Sequence, residues 1–388
     1  MDGHHAADVV VVGAGVIGLA VAWRAACHGL RVTAVDPAPG LGASHVAAGM
    51  LAPVTELGYG EQDLLALNLV AASRYPSFVA EVEDAAGLSC GYRQSGTLAV
   101  AADADDRAEL AALHEFQRSL GLAAQWLTGR ECRALEPLLA PSVTGGLLVD
   151  GDHQVDGRRL AAALLVAADR AGVVLHRGRA SVTVRGDRVT GVRLPDGTAL
   201  PAGTVVLAAG CWSGQVDGLP AGALPPVRPV KGQILRLRVP PRFAPFLSRT
   251  VRGNTGGSHV YLVPREDGEL VVGATSEERG FDTQVTAGAV YELLRDAHDL
   301  VPGLGELPLV ETIAGLRPGS PDNAPVLGPG ALDGLVLATG HHRNGILLTS
   351  VTAEVITELL VTGRLPELAA PFTLDRFGGA PAGREVPA

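Results

Sequence analysis

Apolar runs alternate with glycine-rich turns along the first part of the chain. Residues 8–12 form an almost continuous apolar run, which is typical of a strand buried on both faces of a parallel sheet. Gly13, Gly15 and Gly18 follow in a GxGxxG pattern, residues 19–28 have helical spacing, and a second apolar run over 30–35 ends at Asp36. This order predicts the start of a Rossmann-like domain.

The middle of the chain first leaves and then rejoins that pattern. Helical spacing covers residues 62–86 and 101–120, and the second of these carries a solvated, charged face. A helix over 157–171 and a strand over 173–176 return to the Rossmann-like order. Alternating residues over 181–184 and 189–194 predict a β-meander, and a buried strand follows at 204–210.

The remaining residues predict a second sheet and a final strand-loop-helix unit. Strands alternate from 227 to about 275, as in an antiparallel sheet, and a helix follows over 287–300. The chain is therefore expected to be α/β, with a Rossmann-like dinucleotide-binding domain and a second, mainly antiparallel-sheet substrate domain. The expected domain boundaries are 1–85, 145–225 and 312–388 for the first, and 86–144 and 226–311 for the second.

Composition narrows the class of protein. The chain has 388 residues, of which 47% are hydrophobic and 19% charged, so it can bury a large core. Its formal charge of -10 disfavours nucleic-acid partners, because they require a basic surface. The start of the chain lacks a positive signal-peptide region, and no apolar run is long enough to span a bilayer, so we expect a cytoplasmic protein without a membrane partner. Four widely spaced cysteines do not form a disulfide framework or a CxxC metal motif.

The GxGxxG motif suits a dinucleotide. Gly13 permits the tight turn, Gly15 lets the backbone approach a pyrophosphate, and Gly18 allows close packing of helix and strand. The helix N-terminus attracts phosphates, and Asp36 can accept hydrogen bonds from ribose hydroxyls, which disfavours NADP. The alternative is a glycine-rich turn without a ligand, but the flanking strand, helix and acidic residue favour a dinucleotide site. The motif does not separate FAD from NAD.

Small residues over 43–51, ASHVAAGML, suit a backbone pressed against a flat ring; alone they would also suit an ordinary helix start. With the preceding motif, this stretch resembles the glycine oxidase branch of the D-amino-acid oxidase superfamily, in which Ser-x-x-Ala-Ala-Gly-Met lies against the flavin. The resemblance implies an FAD-binding domain and adenine contacts near Ser181 or Val182. The other implied FAD contacts in the first part of the chain are Val16, Ile17, Asp36, Ala43, Ser44, Ala48, Gly49 and Met50.

A carboxylate-binding pocket is expected on the second sheet. His259 and Tyr261 fall on the same face of a strand because side chains alternate; a half-buried tyrosine beside an exposed histidine is the equally open alternative. Arg317 ends an apolar strand, and its planar guanidinium can hold a carboxylate through two parallel hydrogen bonds. The resemblance implies that Arg317 binds the substrate carboxylate with help from Tyr261.

The last motif is a buried strand over 335–340, a polar loop over 341–345 and a helix over 346–360. Its helix N-terminus would suit negative charge on a reduced flavin. The resembled family has Gly-His-Phe-Arg-Asn-Gly-Ile-Leu here, whereas this chain carries His342 in place of the aromatic residue. The implied cofactor contacts are His341, His342, Arg343, Asn344, Gly345, Ile346 and Leu347.

Metal binding is the alternative considered for two clusters. His341 and His342 lack an evident third ligand, and Asp152, His153 and Asp156 suit a loop and a helix N-cap at least as well. We therefore expect no metal.

The resemblance implies FAD-dependent oxidative deamination of glycine, and of small amines such as sarcosine, to an imine and glyoxylate with production of hydrogen peroxide from O₂. Tyr261, Arg317 and Arg343 would be catalytic, with Met50, His259 and His342 in the substrate pocket. FAD should be non-covalent, because no cysteine follows Cys211 to form the linkage found in some relatives.

The resemblance implies a role in thiazole biosynthesis, where the imine could be transferred to thiazole synthase. A homo-oligomer is also left open. The alternatives are a D-amino-acid or sarcosine oxidase or dehydrogenase of the same superfamily, and, from a different class, a dinucleotide-binding protein without catalysis.

Overall fold

The structure is a computed structural model that describes residues 7–255 and 258–378. The strands are β1 (Ala7–Val12), β2 (Val32–Asp36), β3 (Met50–Leu51), β4 (Thr97–Ala101), β5 (Gln125–Thr128), β6 (Gly145–Val149), β7 (His153–Gln154), β8 (Val174–Arg177), β9 (Ser181–Arg185), β10 (Arg188–Arg193), β11 (Ala199–Leu207), β12 (Arg228–Arg238), β13 (Thr250–Thr255), β14 (Ser258–Pro264), β15 (Glu269–Gly273), β16 (Leu309–Gly319), β17 (Val326–Pro329) and β18 (Leu335–Thr339). The α-helices are α1 (Val16–Cys27), α2 (Ala43–Val46), α3 (Gln62–Ala86), α4 (Ala104–Ser119), α5 (Gly129–Leu135), α6 (Gly157–Arg170), α7 (Ala287–Leu300) and α8 (Thr349–Thr362).

The first sheet has the Rossmann-like arrangement that the sequence predicts. Its order is β17-β18-β11-β1-β2-β8, with parallel pairing throughout except between β17 and β18. Val9 and Val11 face a core with α1, α3, α6 and α8, whereas Val10 and Val12 face the β-meander of β9, β10 and β11. Both faces are therefore covered, which explains why the first strand is an unbroken apolar run.

The second sheet has the order β16-β12-β15-β14-β13-β4-β6-β5. Its pairings are antiparallel apart from the parallel β13–β4 pair. One face packs on α7, where Leu293, Ala297 and Leu300 join the core of this sheet. Because side chains alternate along a strand, the other face is free to line a cavity, and Arg252 and Tyr261 lie on that face.

Sequence periodicity locates most elements well. The predicted helices over 62–86 and 287–300 coincide with α3 and α7. The last helix starts at Thr349 rather than at residue 346, because a 3₁₀ turn over His342–Asn344 and a further turn precede it. None of the helices in the described part of the chain is long and apolar enough to cross a membrane.

The second sheet recruits strands from separate parts of the chain. β6 and most of β16 belong to it, although the expected domain boundaries assigned residues 145–149 and 312–319 to the first domain. The apolar pattern of a short strand does not identify its sheet, because pairing partners are chosen by tertiary contacts. The two-domain division itself stays a prediction.

Candidate active site

A cavity of about 920 Å³ is lined by residues of both sheets. One end is bordered by Asp36 and Ala180, and the other by Tyr261 and Arg317. The cavity therefore joins the predicted dinucleotide motif to the predicted carboxylate pocket. The expected residues on its wall are Gly13, Gly15, Val16, Ile17, Asp36, Ala43, Ser44, Ala48, Gly49, Met50, His259, Tyr261, Arg317, His341, His342, Arg343, Gly345 and Ile346.

The glycines of the first turn occupy the positions that their proposed tasks require. Gly13 has a φ of +105°, and a Cβ there would lie 2.3 Å from the Ala208 carbonyl oxygen. A Cβ at Gly18 would lie 1.9 Å from the Gly13 carbonyl oxygen, so Gly18 serves helix-strand packing and does not line the cavity. Gly15 is the N-cap of α1 and does line it. The first turn of α1 thus presents backbone amides to a ligand.

Asp36 is fixed by two backbone amides at the end of β2. Its Oδ2 accepts a hydrogen bond from Ala14 N and its Oδ1 one from Ala38 N, both at 2.7 Å. A carboxylate has about four acceptor positions, so capacity remains for ligand hydroxyls. The structure therefore keeps Asp36 suited to a ribose.

The small-residue stretch wraps around the beginning of α1. Ser44 Oγ accepts a hydrogen bond from Val16 N at 3.1 Å. Gly49 has a φ of +74°, and a Cβ there would lie 1.9 Å from the Val155 carbonyl oxygen. Only glycine permits this approach, and Ala48, Gly49 and Met50 all line the cavity.

Arg265 supports this stretch from behind, and sequence reasoning did not identify it. Its buried guanidinium donates to the carbonyl oxygens of Ala48 and Val155 and to Gln154 Oε1, the last two at 3.0 Å. Burial lowers the pKa of Arg265 to about 10, so the side chain remains charged at neutral pH. A buried arginine bonded to backbone carbonyls has no local sequence signature.

At the Asp36 end, the residues that border the cavity lie slightly earlier in the chain than the expected adenine contacts. Gly178, Arg179 and Ala180 border the cavity, whereas Ser181 and Val182 do not. Val182 is buried among the meander side chains and donates its N–H to the Asp217 carbonyl oxygen at 2.8 Å. The sequence placed the meander correctly but not the point at which it passes the cavity.

These features fit FAD. A glycine turn, the N-terminus of α1 and a carboxylate follow one another along one end of the cavity, and the stretch over 48–50 also lines its wall. Residues 13–17 would hold the diphosphate, Asp36 the ribose, and residues 48–50 the flavin ring.

Arg317 projects across the second sheet into the cavity. It lies on β16 opposite Val230, and its Nη1 donates to the carbonyl oxygens of Thr275 at 3.0 Å and Lys231 at 3.4 Å. No carboxylate of residues 7–255 or 258–378 forms an ion pair with it. A Cβ on Gly232 would lie 2.5 Å from Arg317 Nη1, so this glycine makes room for the guanidinium.

Tyr261 is seated beside it in a similar way. It pairs with Gly273 on β15, where a Cβ would lie 2.5 Å from the phenol oxygen. Burial raises the pKa of Tyr261, although the charge of Arg317 opposes the shift. The phenol is therefore neutral and can donate a hydrogen bond.

Two further ion pairs border this end of the cavity, and the sequence did not reveal them. Arg252 Nη1 lies 3.2 Å from Glu56 Oε1. Arg343 Nη2 lies 2.8 Å from Glu61 Oε2 and donates to the Glu56 carbonyl oxygen at 3.0 Å. Both acidic residues belong to the loop between β3 and α3, whose pairing with distant arginines depends on the tertiary fold.

The histidines of the last motif are both neutral. His341 is buried and its Nε2 lies 3.0 Å from Thr352 Oγ1; burial lowers its pKa to about 3. His342 has a φ of +44°, and burial, with smaller contributions from Arg317 and Arg343, lowers its pKa to about 4. Of the expected contacts in this motif, Asn344 and Leu347 do not reach the cavity, and Leu347 packs in the first core.

His259 borders the cavity on the same sheet face as Tyr261, and its Nδ1 is hydrogen bonded to Asn254 Oδ1.

The aspartates considered as metal ligands have structural partners. Asp156 is the N-cap of α6 and accepts hydrogen bonds from Arg158 N and Arg159 N. Asp152 is buried and accepts hydrogen bonds from Thr55 N and Thr55 Oγ1 at 2.7 and 2.6 Å, which fixes the loop that carries Glu56. Among the described residues, no three potential ligands come together as a metal site.

Comparison with known proteins adds a family and several relatives. The profile of the DAO family, described as FAD dependent oxidoreductase, matches residues 8–359. The chain is 36% identical over 384 residues to a bifunctional protein ThiO/ThiG from Trichormus variabilis, covering 95% of this chain but 55% of that relative. It thus spans about half the length of that relative. It is 35% identical over 378 residues to a glycine oxidase from Geobacillus kaustophilus, covering 97% of this chain and 98% of the other.

Solved structures show the same architecture. The crystal structure of glycine oxidase from Geobacillus kaustophilus superposes with a TM-score of 0.88 at 34% identity, covering 96% of this chain and 99% of that one. That of iminodiacetate oxidase from Chelativorans superposes with a TM-score of 0.83 at 28% identity, covering 94% and 98%.

Proposed function

This chain belongs to the family of FAD-dependent oxidoreductases, and on that basis we propose that it oxidises glycine to the imine, which water converts to glyoxylate. The observation that carries the proposal is the Arg317 guanidinium, which enters the cavity with backbone carbonyls as its hydrogen-bond partners. A half-buried cation of this kind, with no carboxylate partner among the described residues, favours binding of an anion. Two similar proteins, a glycine oxidase and a ThiO/ThiG protein, support glycine as the substrate.

Arg317 and Tyr261 would hold the substrate carboxylate. The carbonyl oxygens of Thr275 and Lys231 fix one side of the guanidinium, which leaves its other N–H groups for two parallel hydrogen bonds. The neutral Tyr261 phenol would donate a third. These contacts fix the acid end of the amino acid and so set the direction of its α-carbon.

The other residues would shape the space around the amine. Met50, His259, His342 and Arg343 border the same end of the cavity. His342 is neutral at physiological pH because burial lowers its pKa to about 4, so it adds no positive charge beside the substrate amine. A neutral His342 does not repel the ammonium group with which glycine arrives from solution. That ammonium must lose its proton before the C–H bond is broken as a hydride.

When bound, FAD supplies the hydride acceptor, and O₂ subsequently takes up the electrons as hydrogen peroxide. The protein's own part is binding, orientation and exclusion of water, so the reaction needs no dedicated side-chain base. In the ThiO/ThiG relative a second protein unit shares the chain, which supports a role in thiazole biosynthesis and transfer of the imine to a thiazole synthase.

The decisive experiment is an anaerobic mixture of the purified flavoprotein with glycine. Loss of the oxidised flavin absorbance, followed by peroxide formation on admission of oxygen, is the expected result. Replacement of Arg317 by Met should abolish bleaching by glycine and leave flavin content unchanged. A flavin-loaded protein that neither glycine nor sarcosine bleaches would overturn the proposal. Bleaching by a D-amino acid alone would instead identify the second candidate, a D-amino-acid oxidase.

We also propose non-covalent FAD, because no cysteine follows Cys211. The four unpaired cysteines support a reducing, cytoplasmic location. Assembly into a homo-oligomer remains to be measured by size-exclusion chromatography with light scattering.

A further inference from the structure

Three guanidinium groups border the substrate end of the cavity, and they differ in their partners. Arg317 donates to backbone carbonyls, Arg343 forms an ion pair with Glu61, and Arg252 forms one with Glu56. Two of the three positive charges are therefore neutralised by carboxylates of the loop between β3 and α3. Only one remains for a substrate carboxylate.

Arg252 is close to the proposed substrate position. It lies on β13 directly opposite Tyr261 on β14. Residues paired in this way have side chains on the same sheet face, with Cβ atoms about 5 Å apart. On its other side Arg252 pairs with Ala99, whose small side chain leaves the cavity open. Arg252 could thus reach a second anionic group on a molecule held by Tyr261 and Arg317.

The Arg252–Glu56 contact is an ion pair without a well-aligned hydrogen bond. The two atoms are 3.2 Å apart, yet Arg252 Nη1 has no hydrogen-bond partner among the described residues. Both side chains are largely withdrawn from solvent, at 19% and 15% exposure, so their charges are weakly screened. The contact is therefore mainly electrostatic, and the Glu56 carboxylate sets the local charge.

The backbone around Glu56 is held independently of its side chain. Asp152 anchors Val54 and Thr55, and Arg343 donates to the Glu56 carbonyl oxygen. Exchanging the Glu56 carboxylate for an amide should therefore change the charge in the cavity without releasing the loop.

We propose that Glu56 is a specificity-determining residue that restricts this enzyme to amines with one carboxylate. Its negative charge neutralises Arg252 and repels a second carboxylate, so dicarboxylic amines are excluded. This inference rests on the proposed function, because Arg317 and Tyr261 must hold the first carboxylate. Discrimination of this kind needs a repulsive element as well as an attractive one, and Glu56 supplies it.

The test is the variant Glu56→Gln, assayed with glycine and with two dicarboxylic amines, iminodiacetate and D-aspartate. The ratio of kcat/KM for a dicarboxylic amine to that for glycine should rise by about tenfold or more, equivalent to about 1.4 kcal/mol. The double variant Glu56→Gln, Arg252→Met should lose this gain, because the second cation is then absent. Glu109→Gln is the matched control. The Glu109 carboxylate borders the same cavity but is bonded to Asn254 rather than to an arginine, so its removal should leave the ratio unchanged.

A binding measurement separates failure of this inference from failure of the proposed function. Acetate and malonate are titrated against the flavin spectrum, which requires no turnover. Glu56→Gln should raise the affinity for malonate relative to that for acetate by about tenfold. The double variant Glu56→Gln, Arg252→Met should lose this increase. If the wild-type protein does not oxidise glycine but Glu56→Gln still increases the affinity for malonate, only the proposed function is contradicted. Unchanged malonate-to-acetate and dicarboxylate-to-glycine ratios in Glu56→Gln would overturn the role of Glu56.

Discussion

Replacing Gly232 by alanine should move Arg317 away from the substrate carboxylate. The added Cβ would lie 2.5 Å from Nη1, 2.6 Å from Nη2 and 2.7 Å from Cζ of Arg317. All three atoms belong to the rigid, planar end of the side chain. Gly232 itself cannot retreat, because it pairs with Gly315 on β16 while its neighbours Lys231 and Gln233 are bonded on the other side to Glu277 and Thr275. The guanidinium must therefore yield.

The size of the effect follows from the required displacement. Unstrained carbon contacts lie at about 3.5–4.0 Å, so the guanidinium must shift by about 1 Å. Misplacement of a positioning group by about 1 Å costs roughly 100-fold in rate, or about 2.7 kcal/mol of transition-state stabilisation. Overpacking also costs about 1–3 kcal/mol of folding stability, which is small enough for the variant to be purified in folded form.

Steady-state oxidation of glycine and titration with acetate measure the two consequences. In Gly232→Ala, kcat/KM for glycine and acetate affinity should both fall by about 100-fold, while flavin content is retained. Oxidation of ethylamine, which has no carboxylate, should change little. Gly288→Ala in α7, where a Cβ meets nothing within 4 Å, is the control for an added methyl group. Unchanged acetate affinity in Gly232→Ala would refute the proposed contact between Arg317 and the carboxylate.

Three further predictions concern the cofactor and stability. Arg265→Met leaves the Ala48 and Val155 carbonyl oxygens without their buried donor. The affinity of the apoprotein for FAD should therefore fall by about tenfold or more in a titration. Unchanged affinity would contradict the role of Arg265 in supporting the 48–50 stretch. The pKa of His341 falls to about 3 on folding, so between about pH 6.5 and 3 the unfolded chain binds a proton that the folded chain does not, and the free energy of unfolding declines as the pH falls through that range. His341→Gln should reduce this decline in urea unfolding curves measured at pH 7 and pH 5. An identical decline in the variant and the wild type would contradict the prediction. Acid precipitation should release the yellow chromophore into the supernatant, because no cysteine follows Cys211 to bind it covalently.

Local patterns were sufficient for much of the fold and for several residues of the cavity wall. Helical periodicity located α3 and α7 at their observed residues, and the order of strand, glycine turn, helix and acidic residue placed Asp36 beside the start of α1. Arg317 was identifiable because an arginine at the end of an apolar strand has a local context, whereas the strand pattern left Tyr261 open and the family resemblance implied its role. Their arrival at the same cavity wall agrees with that expectation.

Other features could not be read from neighbouring residues. The sequence did not show that Arg265 supports Ala48, that Glu56 neutralises Arg252, or that β6 joins the second sheet. Each depends on which segments pair, and pairing is settled by packing across the whole molecule rather than by the local alternation of side chains.

The sequence alone determined the period of each element and the backbone freedom of its glycines, because both are properties of a few adjacent residues. The tertiary structure decided which charges meet in the cavity. A carboxylate and a guanidinium from distant segments interact only when the tertiary fold brings them within a few ångströms, away from the screening of water. The packing of the loop between β3 and α3 neutralises Arg252 and Arg343 and leaves Arg317 with backbone partners.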